Sequence, residues 1–136
     1  MASGVYVVFK GDVLEKQVDV GSGGDTIKVA LMTNSHAFTN TDDVWGDVSA
    51  NEISGAGYTA GGATLGGQAV TEATATKWDG DDTAWTSATF SAWHCVIVDI
   101  TNTSSLICSI DFGGEQAVAS GTFTIQWNAA GIITLT

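Results

Sequence analysis

Apolar residues recur at every second position in several short stretches of the chain. Ile27, Val29 and Leu31 alternate with Lys28, Ala30 and Met32, the spacing of a strand whose faces meet different surroundings. Residues 70–78 repeat the pattern, with Val70, Glu72, Thr74, Thr76 and Trp78 on one side and Thr71, Ala73, Ala75 and Lys77 on the other. Leu106, Cys108, Ile110 and Phe112 alternate with Ser105, Ile107, Ser109 and Asp111. Phe123, Ile125 and Trp127 point inward against Thr122, Thr124 and Gln126, and residues 132–135 predict a last strand. Two stretches are apolar on both faces. Residues 92–100 (AWHCVIVDI) predict a central, buried strand. Residues 5–9 (VYVVF) predict a β-branched strand broken by Gly11-Asp12.

Between these runs lie turn signals at residues 21–25 (GSGGD), 79–82 (DGDD) and 113–115 (GGE). Residues 40–48 (NTDDVWGDV) hold the one helix candidate, with Asn40 or Thr41 as N-cap, acids in the first turn, and Gly46 limiting its length. Some nine short strands, roughly, with Gly and Asp turns predict an all-β fold. We expect a single domain over residues 1–136, a β-sandwich or jelly-roll-like architecture with one short helix at most; a closed barrel is the alternative. Residues 1–25 read as an N-terminal arm or an added strand.

Composition sharpens this picture. The chain has 15 acidic residues and four Lys, with no Arg and no Pro, for a formal charge of −11. Such acidity accompanies disorder when apolar residues are scarce, but 44% hydrophobic content supplies a core. Nucleic acid is bound through Lys and Arg, so DNA and RNA are excluded as expected partners, and anionic membranes are disfavoured for the same reason. No run approaches the roughly 18 apolar residues of a membrane span, and the first residues lack a basic, then apolar, signal-peptide pattern. The expected place of synthesis is a cytoplasm, unless a larger particle carries the protein out.

Candidate chemistry is sparse. Cys95 and Cys108 sit in apolar runs and read as buried structural thiols; a disulfide is the alternative, and no spacing of Cys and His suggests a metal site. A hairpin turning at Thr101-Asn102 places the two Cys opposite each other, whereas a turn one residue later places Cys108 opposite Ile97. His94 adjoins Cys95, but neighbours on a strand face opposite ways, so they form no nucleophile pair. His36 has no recognisable partner, and no G-x-S-x-G elbow or strand-to-helix GxGxxG occurs. The turn Asp79-Gly80-Asp81-Asp82 reads as solvated, with a weak cation site as the alternative. No catalytic residue, cofactor or metal is expected, and the chain does not read as an enzyme.

Contact residues are easier to nominate. Trp78, Trp93 and Trp127 alternate with polar residues and read as core, while Trp45 and Trp85 lie at element ends and read as contact anchors. Residues 55–67 (GAGYTAGGATLGG) read as a surface loop or as a loop that orders against a neighbouring subunit through Tyr58. The apolar residues Val5, Tyr6, Val7, Val8 and Phe9 suit a strand added to a neighbour's sheet.

Several stretches also carry a resemblance. They are IKVALMT from Ile27, NEISGAGYTAGG from Asn51, WTSATFSAWHCVIVDIT from Trp85, DFGG from Asp111 and AGII from Ala130. In this order they resemble small virion structural proteins of tailed bacteriophages, a family that includes head decoration, or cement, proteins. The resemblance implies a capsid decoration protein on the outer surface of a phage head, assembled in the bacterial host. It implies the major capsid protein and further copies of this chain as partners, with a trimer on local three-fold axes as the natural assembly. A tail, tail-tube or head-tail connector subunit is the second reading, and a carbohydrate-binding or host-attachment module with exposed Trp is the third.

Overall fold

A long antiparallel hairpin, β6 (Thr83–Asp99) and β7 (Ser105–Ile125), organises the molecule. The computed structural model describes residues 3–136. β1 (Gly4–Val5) joins the β7 side of the hairpin; β2 (Ile27–Met32) and β3 (Ala63–Thr64) extend the β6 side. The resulting sheet has the order β1-β7-β6-β2-β3. A smaller sheet, β4-β5-β8, is built from β4 (Ala69–Thr71), β5 (Thr76–Asp79) and β8 (Ile133–Leu135). All pairings are antiparallel, and the two sheets share one core in an all-β domain.

The alternation in β2 shows how the core divides. Ile27, Val29 and Leu31 enter one cluster with Cys95, Ile97 and Trp78. Ala30 and Met32 enter a second cluster with Val96, Val98, Leu106 and Tyr6. β6 lies between β7 and β2 and is covered on both faces at its inner end, which is why residues 92–100 lack a clean polar face. The hairpin turn is the later of the two anticipated. Ile97 faces Cys108 and Cys95 faces Ile110, and both thiols are buried and unbonded. Burial pushes the Cys108 thiol up to about 12.

Four sequence expectations need correction. Residues 5–9 are not one strand: only Gly4–Val5 pairs with β7, and Val7–Leu14 forms helix α1. This helix and α2 (Trp45–Val48) make two, where one at most was expected. Three Val and a mid-helix Gly cost α1 about 2–3 kcal/mol of intrinsic propensity. Tertiary contacts offset that cost. Phe9 is buried, worth about 1.5–3 kcal/mol. Asp12 Oδ2 accepts hydrogen bonds from Asn102 Nδ2 (3.0 Å) and Ser105 Oγ (2.9 Å) at the hairpin turn. The Val7 N–H is held by the Asn40 carbonyl (3.0 Å).

The second correction concerns residues 70–78, which fold as a β4–β5 hairpin with Thr71 opposite Lys77 instead of one strand. The third concerns residues 113–115, which do not turn the chain. Ala92 pairs with Gln116 and His94 with Asp111, so residues 112–115 bulge out opposite Trp93 alone. Gly113 (φ 81°) and Gly114 (φ 158°) permit the bulge, and β7 continues. Fourth, the helix candidate at residues 40–48 shrinks to α2 and one 3₁₀ turn (Ser49–Asn51). Its cap is not Asn40 or Thr41. Asp47 Oδ2 accepts from the Asp43 and Val44 N–H groups (3.0 and 3.1 Å), and these bonds hold its carboxyl below the usual range.

The Gly-rich loop orders on its own chain. Ala56 bridges to Thr89 of β6. The Tyr58 hydroxyl accepts from Leu31 N–H (3.0 Å) and donates to Glu52 Oε1 (2.7 Å), which also accepts from Gly61 N–H (2.6 Å). Gly62 sits at φ 85°, and a Cβ there would lie 2.1 Å from the Val29 carbonyl oxygen. The glycine is required because the loop lies directly on the β2 backbone.

Candidate functional site

Helix α1 and the small sheet enclose an apolar groove of about 730 Å³. One wall comes from Val5, Phe9, Val13, Leu14 and Val20; the other comes from Val70, Trp78, Ile133 and Leu135. Phe9 turns inward, and its helix presents Val13 and Leu14 one turn further on, along the same side. Leu14 is 88% exposed and Leu135 63%. Among the described residues, four of the seven exposed large apolar side chains line this groove: Val13, Leu14, Val70 and Leu135. Val7, a fifth, lies on the same helix. Exposed aliphatic groups scattered singly are ordinary, and their collection along one concave surface makes this groove the candidate contact surface.

The polar groups of the groove are few. Lys10 and Lys77 line it, two of only four cations in the chain. Lys77 Nζ is engaged by the Ala129 carbonyl (2.8 Å), with Asp79 at 3.9 Å. The indole N–H of Trp78, which is 4% exposed, has no acceptor among the described residues.

The nominated contact residues separate into three places. Val5 and Phe9 line the groove, and Val7 is exposed beside it. Tyr6 is wholly buried on the other face of the large sheet, where Val8 and Trp45 are half-buried against the same cluster. Tyr58 and Trp85 belong to an aromatic cluster with Phe90 and Phe123, with ring centroids 5.2–6.5 Å apart. Trp85 is 5% exposed, so it is a core residue and not a surface anchor. Conversely, Trp93 and Trp127, read as core, are only half-buried; Trp78 alone of those three is buried. Val13, Leu14, Val70 and Leu135 carried no signal as site residues, because only the packing of α1 on the small sheet brings them together.

Two polar clusters lie outside the groove. On the second face, His36 Nε2 lies 2.9 Å from Ser109 Oγ, and the His36 and His94 rings meet edge-on at 5.2 Å. His94 Nδ1 lies 3.3 Å from the Thr33 carbonyl, and its Nε2 lies 3.8 Å from Asp111 Oδ1. The Tyr6 hydroxyl lies beside Ser109 without a well-formed hydrogen bond. His36, His94 and Ser109 are each at most 2% exposed, so no substrate reaches the serine. Burial and the His94 ring lower the His36 pKa to about 4. At the acidic turn, Asp79 Oδ1 accepts from Gly80 N–H (2.9 Å) and Asp82 Oδ1 from Trp127 N–H (3.0 Å). Its carboxylates serve the backbone, and no group of three or more metal-ligating side chains occurs among the described residues.

No protein family, curated protein or solved structure matches the chain. The phage resemblance therefore stands on the motifs quoted above, and the groove stands on geometry.

Proposed function

We propose that the chain is a structural virion protein of a tailed bacteriophage, a head decoration protein that binds the outer surface of the capsid and stabilises it. The observation that carries this reading is the apolar groove beside α1, on a chain whose formal charge is −11. An acidic surface disfavours the DNA-filled interior and keeps free copies apart in solution. The groove offers one place where aliphatic side chains of the major capsid protein gain burial, at about 25 cal/mol per Å². A protein that binds the closed shell and not loose capsid subunits shifts the equilibrium towards the closed particle. Copies arranged as trimers around local three-fold axes have room for sibling contacts of about 800 Å² each.

The Trp45 and Trp85 pair nominated for carbohydrate stacking lies in separate clusters, and Trp85 is buried. The groove is tested by co-sedimentation of the purified chain with assembled shells. The double substitution Leu14→Glu and Leu135→Glu alters two strongly exposed positions, so folding is expected to survive. Binding to shells should weaken at least tenfold. Unchanged binding would remove the groove from the contact.

A further inference from the structure

β7 is bonded to β6 along its length, but its other side is largely open. Among the described residues it is occupied only over residues 105–111: Ser105 bridges to Val44, Leu106 N–H bonds the Asp43 carbonyl, the Ile107 carbonyl accepts from Tyr6 N–H, Cys108 and Ser109 pair with Val5 and Gly4, and Asp111 N–H is taken by Ser3 Oγ. From residue 116 to residue 125 no described residue pairs with this outer edge. Alternate residues of a strand turn N–H and C=O to each side, so the edge presents a row of free donors and acceptors. A concavity of about 470 Å³ runs along it. Its lining includes Val118, Phe123 and Ile125 from one face and Thr122 and Thr124 from the other, which places it on the edge and not on either face.

Exposed edges are normally blunted by Lys, Pro or inward charges. Residues 116–126 (QAVASGTFTIQ) contain no charge and no Pro. Two irregularities fall within this span, one on β7 at Ser120 (φ 47°) and one on the facing β6 at Ser87 (φ 50°). On either side of them the register is regular: residues 116–118 pair with 92–90 and residues 123–125 with 85–83. Acids stand at both ends. Glu115 is exposed at one, and at the other Asp82 binds the Trp127 N–H with Asp81 beside it. A second copy of the chain would bring another −11 charge and its own acids to these ends, which costs affinity. An extended segment with a neutral, β-prone middle and Lys or Arg at its ends matches both the edge and the charge.

We propose that the outer edge of β7 over residues 116–126 is a strand-addition site for an extended, basic-flanked segment of a partner protein. Main-chain hydrogen bonds would supply affinity and the flanking charges would fix register. The proposal uses a surface separate from the α1 groove and stands independently of the virion reading.

The test is a titration of the isotope-labelled full chain with a synthetic peptide of alternating Thr and Val, capped at each end by two Lys, followed by amide hydrogen exchange. Binding is expected to protect alternate amides within residues 116–126. Replacing the Lys caps by Glu should weaken binding at least tenfold at low salt, with the difference shrinking as salt rises. N-methylation of alternate peptide amides, which deletes the ladder bonds, should abolish binding. The proposal is overturned if the N-methylated peptide binds as well as its parent. It is also overturned if protection appears elsewhere on the chain, or if the peptide fails to bind at millimolar concentration. Concentration-dependent protection of these amides in the free chain would identify a second copy as the occupant and overturn it too.

Discussion

At the scale of single residues, the buried ionisable groups set the pH response. Asp99 is 1% exposed, with its Oδ1 accepting from Thr101 and Asn102 N–H (3.0 and 3.1 Å) and its Oδ2 unpartnered. Burial, then the nearby Asp25 carboxyl, raise its pKa to about 6. The folded state thus holds the proton more tightly than the unfolded chain. This contribution is full below the unfolded value of 3.8 and is lost as pH rises through about 6. Asp99→Asn keeps the Oδ1 acceptor and removes the charge. It should raise stability at pH 7.5 by about 1–3 kcal/mol and change little at pH 4, read by thermal denaturation at both values. His36 acts with the opposite sign. Its folded pKa of about 4 lies below the unfolded 6.5, so stability present above pH 6.5 is lost as pH falls towards 4. His36→Gln should flatten the decline of melting temperature over that window, a difference of about 2–3 kcal/mol between its ends.

At the scale of elements, packing overrides local preference where the two disagree. The alternation in β2 and the two-faced apolar run in β6 were legible, because period two reports the number of covered faces directly. Helix α1 was not. Residues 5–9 have β-branched content that predicts a strand, and the helix exists through Phe9 burial and the distant Asn102 and Ser105, which no local pattern announces. The bulge at residues 112–115 shows the same limit. Gly-Gly signals a backbone irregularity, but whether the chain turns or bulges depends on the pairing of β6 across it. The fold class was therefore readable, whereas of the candidate site only Val5 and Phe9 were, since the rest of the groove comes from residues far apart in sequence. The Gly-rich loop offers an element-scale prediction. Tyr58→Phe removes the hydroxyl that joins Leu31 N–H to Glu52, leaving a part-buried donor and acceptor poorly satisfied. A loss of about 1–3 kcal/mol in urea denaturation is expected, with faster amide exchange confined to the loop and β2.

At the scale of the whole molecule, an acidic chain carries two features without acids of their own, the α1 groove, whose only charged lining groups are Lys10 and Lys77, and the uncharged β7 edge. A formal charge of −11 sets free copies against one another, while the two features would leave room for apolar contact and for strand addition on the proposed readings. That combination suits a protein whose binding sites are completed by a larger assembly. The double variant at Leu14 and Leu135 probes one contact; the role itself is tested by stoichiometry. On the proposed virion role, the most direct measurement is the number of copies of the chain per particle in virions purified from its source, by quantitative mass spectrometry. Decoration of the head predicts hundreds of copies in a simple ratio to the major capsid protein. A few to a few dozen copies would assign it to the tail or connector instead, and absence from the particle would contradict a virion role altogether.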